Sequence, residues 1–210
     1  VIRATLLAAL LLTATAMAAP VLRGSGDLGV VIERASGSVQ IVDTSHAAVL
    51  SRVEGLGDLS HASLVFSRDQ RYAYVFGRDG GLSKVDLLTA ALVRRVMQAG
   101  NAIGGAISQD GRLVVAQNYE PGGIKAFDAE TLELVADVPA DYGNEGKRSR
   151  VVGLTDLPGR RFAYALFDAG EIRVTDLSDP AHPQTARYPA GKQPYDGLAT
   201  PDGRYYIAGL

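Results

Sequence analysis

The sequence predicts an all-β protein built from successive small sheets of similar size, and three observations carry the prediction. An apolar stretch ending in Asp recurs at a near-constant interval, tight turns rich in Asp and Gly separate these stretches, and helical periodicity of about 3.6 residues is weak throughout. The recurring stretches are Val39 to Asp43, Leu82 to Asp86, Ile124 to Asp128 and Ile172 to Asp176, at intervals of 43, 42 and 48 residues.

The elements of each unit follow in order. Ahead of three of the Asp-ended strands lies another, rich in β-branched and aromatic residues: Tyr72 to Phe76, Leu113 to Gln117 and Phe162 to Leu166. Each of these opens after a turn, namely Ser67-Arg68-Asp69-Gln70-Arg71, Ser108-Gln109-Asp110-Gly111-Arg112 and Leu157-Pro158-Gly159-Arg160-Arg161. Thr200-Pro201-Asp202-Gly203-Arg204 opens a further unit in the same way. Asp-Gly and Pro-Gly supply the positive-φ residue that a hairpin turn requires. Four short strands in roughly 40–45 residues, with Gly-rich turns, is the blade repeat of a β-propeller. A β-sandwich would have to reach the same spacing by coincidence. Residues 19–210 therefore read as about four blades and the start of another, the N-terminal part of a propeller truncated at its C-terminus in mid-strand. Such an open arc is expected to expose sheet faces that further blades would cover.

The first 18 residues read differently. Arg3 gives one positive charge, an apolar run extends from Ala4 to Leu12, and Ala16 and Ala18 flank Met17. This is the pattern of a secretory signal peptide cleaved before Ala19, and the run is shorter than the roughly 20 residues that span a bilayer. The expectation is a periplasmic protein with no stable transmembrane segment. Lys and Arg number 21 against 23 Asp and Glu, so no basic excess points to nucleic acid. There is no Cys in the 210 residues, which excludes disulfides, thiolate metal sites and a Cys-x-x-Cys-His haem attachment within them.

Few residues offer chemistry. No nucleophile elbow, P-loop, His-Glu-x-x-His or dinucleotide fingerprint occurs. Of the three His, His46 and His182 fall in loops after Asp-ended strands, where a solvated imidazole is the plain reading. His61 immediately precedes the strand Leu64-Val65-Phe66, where a blade meets the axial cavity, and a structural role is the default from position alone. Arg34 and Arg78 each stand at the exit of a strand. Arginine suits bidentate contact with carboxylates, although a hairpin arginine can equally contact nothing.

His61 and the run Ser-Arg-Asp-Gln-Arg-Tyr-Ala-Tyr-Val-Phe-Gly-Arg-Asp-Gly-Gly-Leu-Ser-Lys-Val-Asp from Ser67 to Asp86 resemble the d1-haem propeller of cytochrome cd1 nitrite reductase. The likeness extends to the haem d1 biosynthesis proteins that share that propeller. Gln117 to Pro121, Phe127 to Glu133, Asp168 to Ile172 and Lys192 to Gly197 carry it further, so that it covers about residues 30–210. The resemblance implies an eight-bladed propeller, of which this is the front half, holding haem d1 or dihydro-haem d1 non-covalently in its central cavity. It implies His61 as the axial iron ligand and Arg34 and Arg78 as partners of the macrocycle's carboxylates. A third arginine position of the family, three residues after His61, is Leu64 here, which implies a different grip on the ring.

A second departure bears on activity. Where the reductase has His in Pro-x-x-His-Asp-Gly, this chain reads Pro194-Tyr195-Asp196-Gly197. A tyrosine phenol, ordinarily titrating near pH ~10, is a poor proton supplier at neutral pH. With no c-type haem site in these residues either, nitrite reduction and a dehydrogenase that needs such a site are both disfavoured. The expectation is a periplasmic haem d1 biosynthesis protein of denitrification that binds d1 haem or its late precursor and modifies it or passes it on. If it is catalytic, the chemistry is dehydrogenase-like, with Tyr195 and Asp196 on the ring face opposite His61. Apo cytochrome cd1 nitrite reductase and other d1-assembly proteins are the implied partners. The alternative is a cofactor-free exported propeller that serves as a protein interaction scaffold.

Overall fold

The computed structural model describes residues 25–210, apart from residue 145. The leader expected at residues 1–18 lies outside the described residues. Among those described there is no α-helix, only a 3-10 turn at Ser25–Asp27, and no helix long and apolar enough to cross a membrane.

The recurring Asp has a local task that explains its spacing. Oδ1 of Asp43, Asp86, Asp128 and Asp176 accepts the N–H of the residue two further on: Ser45, Leu88, Glu130 and Ser178, at 3.0, 2.9, 2.9 and 2.8 Å. Each closes an Asx turn that reverses the chain after its strand. The other recurring turn is a nested network seen three times. The hydroxyls of Ser67, Ser108 and Thr200 donate to Asp69, Asp110 and Asp202. They accept in turn from the N–H groups of Tyr72, Leu113 and Tyr205.

These turns space antiparallel strands into sheets. The first holds β1 (Leu28–Glu33), β2 (Ser38–Asp43) and β3 (Ala48–Val53). The second holds β4 (Ser63–Phe66), β5 (Tyr72–Phe76), β6 (Gly81–Asp86) and β7 (Ala91–Met97). The third holds β8 (Asn101–Ile107), β9 (Leu113–Glu120), β10 (Gly123–Asp128) and β11 (Leu134–Val138). A small hairpin, β12 (Asp141–Tyr142) and β13 (Lys147–Arg148), follows and accounts for the longer interval of 48 residues. The fourth sheet holds β14 (Val151–Leu157), β15 (Arg161–Leu166), β16 (Glu171–Asp176) and β17 (Gln184–Pro189). The last pair is β18 (Gly197–Ala199) and β19 (Tyr206–Ala208). Because β2 carries the recurring Asp, the first sheet's strands correspond to the second to fourth of the others.

Sheets stack face to face, and each hydrophobic cluster lies between two consecutive ones. Ala73 and Val75 of β5 pack toward Val39 and Ile41 of the first sheet, while Tyr74 and Phe76 pack toward Val114 and Ala116 of the third. Leu113 and Val115 of β9 pack toward Phe162 and Tyr164 of the fourth. Burial on both faces is why these strands read as continuous apolar runs rather than alternating ones. The first strands β4, β8, β14 and β18 touch in succession, which makes them the innermost row. This is the propeller arrangement the sequence predicts.

Two consequences of the turns are measurable. Gly111 and Gly203 adopt φ of 74° and 68°, and Gln70 is forced into the same region at 61°. Gln70→Gly is expected to raise stability by about 0.5 kcal/mol, the relief of left-handed strain exceeding glycine's extra freedom when unfolded. An unchanged or lowered denaturation midpoint would contradict this. Asp110 joins the third and fourth sheets through Arg160 at 2.7 Å. Burial works against its charge, but bonds from Ser108, Arg160 and the Arg112 N–H prevail and hold its carboxyl at about 2. A folded pKa below the unfolded one means stability present above about pH 4 and lost as pH falls toward 2. The pair is partly exposed, so the amount is at most about 1 kcal/mol. Asp110→Asn should flatten the acid-unfolding profile over that window, and an unchanged slope would contradict the assignment.

Candidate functional site

In an antiparallel blade, the link from second to third strand and the link to the next blade open at the same end. Arg34 follows β1 directly and Arg78 lies in the β5–β6 turn. His61 lies in the connection to β4, and Tyr195 and Asp196 in the connection to β18. All five predicted residues therefore share one end of the sheets. His46 and His182, by contrast, lie in third-to-fourth links at the other end. Their Nδ1 atoms sit 2.9 Å from the carboxylates of Asp43 and Asp179, where they help to close loops.

The His61 turn is pinned to the Arg78 turn by two hydrogen bonds from backbone N–H groups. The Arg78 N–H donates to the Asp58 carbonyl at 2.8 Å, and the Asp58 N–H donates to Asp79 Oδ2 at 3.2 Å. Asp79 is itself fixed by Arg95 at 2.6 Å. The Ser60 hydroxyl and N–H, with the nearby Arg78 charge, hold the Asp58 carboxyl below the usual carboxylate range. His61 is exposed two residues before the innermost strand β4, and among the described residues its ring makes no hydrogen bond. Arg34 is exposed and Arg78 half-buried, and neither forms an ion pair among the described residues. At the same end Asn101 Oδ1, at the start of β8, is buried with no hydrogen-bond partner among the described residues.

The structure adds residues to which sequence reasoning assigned no role. Tyr119, next to last in the long strand β9, has the Arg78 guanidinium 5.5 Å and the Arg150 guanidinium 5.9 Å from its ring centroid. Arg150, just before β14, chelates Asp168 through Nε at 3.1 Å and Nη2 at 2.6 Å, and lies 4.4 Å from the Phe167 ring centroid. The Tyr195 ring meets Phe167 edge-on at 5.7 Å, and the Tyr119 and Tyr195 hydroxyls are 3.3 Å apart. Burial, then the bond with Tyr195, pushes the Tyr119 phenol up to about 12, so it stays protonated at neutral pH. The bond from Arg150 holds the Asp168 carboxyl below its usual range. Asp196 is exposed. The sequence signals were the segments Gln117 to Pro121 and Asp168 to Ile172, which carry the resemblance without assigning a role, Tyr119 standing beyond the apolar part of its strand, and the basic run Lys147-Arg148-Ser149-Arg150.

Among the described residues no three His, Cys, Asp or Glu side chains group as a metal-ion site. An iron already held in a macrocycle needs a single imidazole rather than such a group. A cavity of about 620 Å³ lies among the last residues of the inner strands, lined by Val65, Phe66, Arg68, Ile107, Leu154 and Asp156. It is toward the end opposite His61 and is separate from that site.

Residues 23–210 match the family model of the cytochrome D1 heme domain, and the chain belongs to that family of β-propellers. It is 63% identical over 211 residues to Protein NirF of Stutzerimonas stutzeri, covering 100% of this chain and 54% of that protein. To Protein NirF of Pseudomonas aeruginosa it is 64% identical over 208 residues, covering 97% and 53%. The chain thus spans about half the length of these curated relatives. A similar solved structure is dihydro-heme d1 dehydrogenase NirN in complex with DHE, with a TM-score of 0.77 and 31% identity, covering 88% of this chain and 39% of that one.

Proposed function

We propose that this chain acts in haem d1 biosynthesis in the periplasm, binding d1 haem or its dihydro precursor non-covalently beside His61, and modifying it or passing it to nitrite reductase. The observation that carries the reading is an imidazole that makes no hydrogen bond among the described residues, two residues before an innermost strand, on the same end as two arginines that form no ion pair among the described residues. The likeness to two NirF proteins and to NirN supports it. The leader-like residues 1–18 support export.

The residues present fit such a group. His61 offers a ring nitrogen for the iron. Arg34 and Arg78 offer planar forks for carboxylates. When bound, the tetrapyrrole supplies the redox-active iron and conjugated ring that this protein's own side chains lack. Tyr119, protonated at neutral pH, does not serve as a base there. If the ring is modified, Tyr195 or the exposed Asp196 beside it would take part, with Asp196 as the group that would accept a proton.

The test is an absorption titration of the protein with ferric d1-type haem. A saturable change with one equivalent is expected. No spectral change would overturn the reading and leave an interaction scaffold without a cofactor.

A further inference from the structure

The arginines at this end are not equivalent. Arg150 is already engaged: Asp168 chelates it and the Phe167 ring lies against it. It is a fixed charge rather than an open receptor. Arg78 has no ion-pair partner among the described residues, and although its N–H is held by the Asp58 carbonyl at 2.8 Å, no side-chain hydrogen bond among the described residues aims its long side chain. What lies against its guanidinium is the ring of Tyr119, which Arg150 also approaches. Tyr119 therefore links a cation of the second sheet to a locked ion pair of the fourth. Its hydroxyl meets that of Tyr195 from the next connection, 76 residues away in sequence.

We propose that Tyr119 is a positioning residue that sets which tetrapyrroles the site accepts, its ring holding Arg78 at a fixed place over the His61 end so that macrocycles rich in carboxylates are preferred. The inference rests on the haem-binding reading above and deepens it. The physical reason is preorganisation. A guanidinium held against an aromatic face has already lost the freedom it would otherwise lose on meeting a carboxylate, and it keeps its fork available at the edge. A ring with only a pair of propionates has fewer carboxylates to place and gains less from an aimed Arg78.

The experiment compares d1-type haem and protohaem by absorption titration in the unaltered chain, Tyr119→Leu, Tyr119→Phe and Arg78→Gln, with thermal midpoints recorded for each. Tyr119→Leu is expected to weaken d1-type haem about tenfold or more and protohaem less than about threefold, while Tyr119→Phe, which keeps the platform, stays within about threefold of the unaltered protein for both. Arg78→Gln, a substitution in a turn, should lose the same selectivity without needing Tyr119 to change. Equal weakening of both ligands in Tyr119→Leu would overturn the proposal as a merely structural effect. Unchanged selectivity in Arg78→Gln would overturn it even if Tyr119→Leu failed to fold. If the unaltered chain binds neither ligand, the haem-binding reading itself falls, a result distinct from a loss of selectivity in the variants.

Discussion

His61→Ala is expected to lower the affinity for ferric d1-type haem by about 100-fold or more, equivalent to about 2.7 kcal/mol, and to shift the visible spectrum of whatever still binds. Residual binding would come from Arg34, Arg78 and ring burial, which do not depend on the imidazole. His46→Ala and His182→Ala should leave affinity and spectrum unchanged, since both side chains sit at the opposite end in contact with Asp43 and Asp179. Added imidazole should restore part of the spectrum of His61→Ala by taking the ligand position that the His61 side chain would otherwise fill. Equal spectra for His61→Ala and the unaltered protein would remove His61 as the ligand.

Gly105→Ala is expected to cost about 3 kcal/mol of stability, at the upper end of overpacking effects. Gly105 lies in β8 with an ordinary strand conformation, so conformational strain is not the issue. A Cβ there would drive into the carbonyl oxygen of Val115 and the ring of Phe76. Neither can yield cheaply: Val115 is paired in the sheet, and Phe76 is fully buried between the second and third sheets. Gly159→Ala is the matched comparison. Its Cβ would meet nothing within 4 Å, but its φ of 75° leaves about 1 kcal/mol of left-handed strain. Denaturant unfolding of both variants decides the point, and a smaller loss for Gly105→Ala than for Gly159→Ala would contradict the packing account.

The blade repeat was legible because its determinants are local. Asp43, Asp86, Asp128 and Asp176 satisfy backbone N–H groups two residues away, and Ser67, Ser108 and Thr200 act within five, so a short window of sequence contains the whole interaction. Their common spacing follows from the length of a blade. The candidate site was legible only in part, and through resemblance rather than residue chemistry. A lone His61 and two hairpin arginines do not announce a site by themselves. Tyr119, Arg150 and Phe167 escaped because stacking of the third and fourth sheets brings them together. Nothing local distinguishes Arg150 from its neighbours Lys147 and Arg148, and its engagement by Asp168 depends on a turn 18 residues further on. Tyr195 stood out as a replacement for histidine, yet its partner Tyr119 could be found only once the sheets were in place.

The most direct test of the central claim, that His61 holds the iron of a d1-type haem, is pulsed electron paramagnetic resonance of the ferric complex in protein carrying nitrogen-labelled histidine. The account predicts a hyperfine coupling to one labelled ring nitrogen, retained in His46→Ala and His182→Ala and lost in His61→Ala. A coupling that survives in His61→Ala, or no histidine coupling in the unaltered complex, would contradict it.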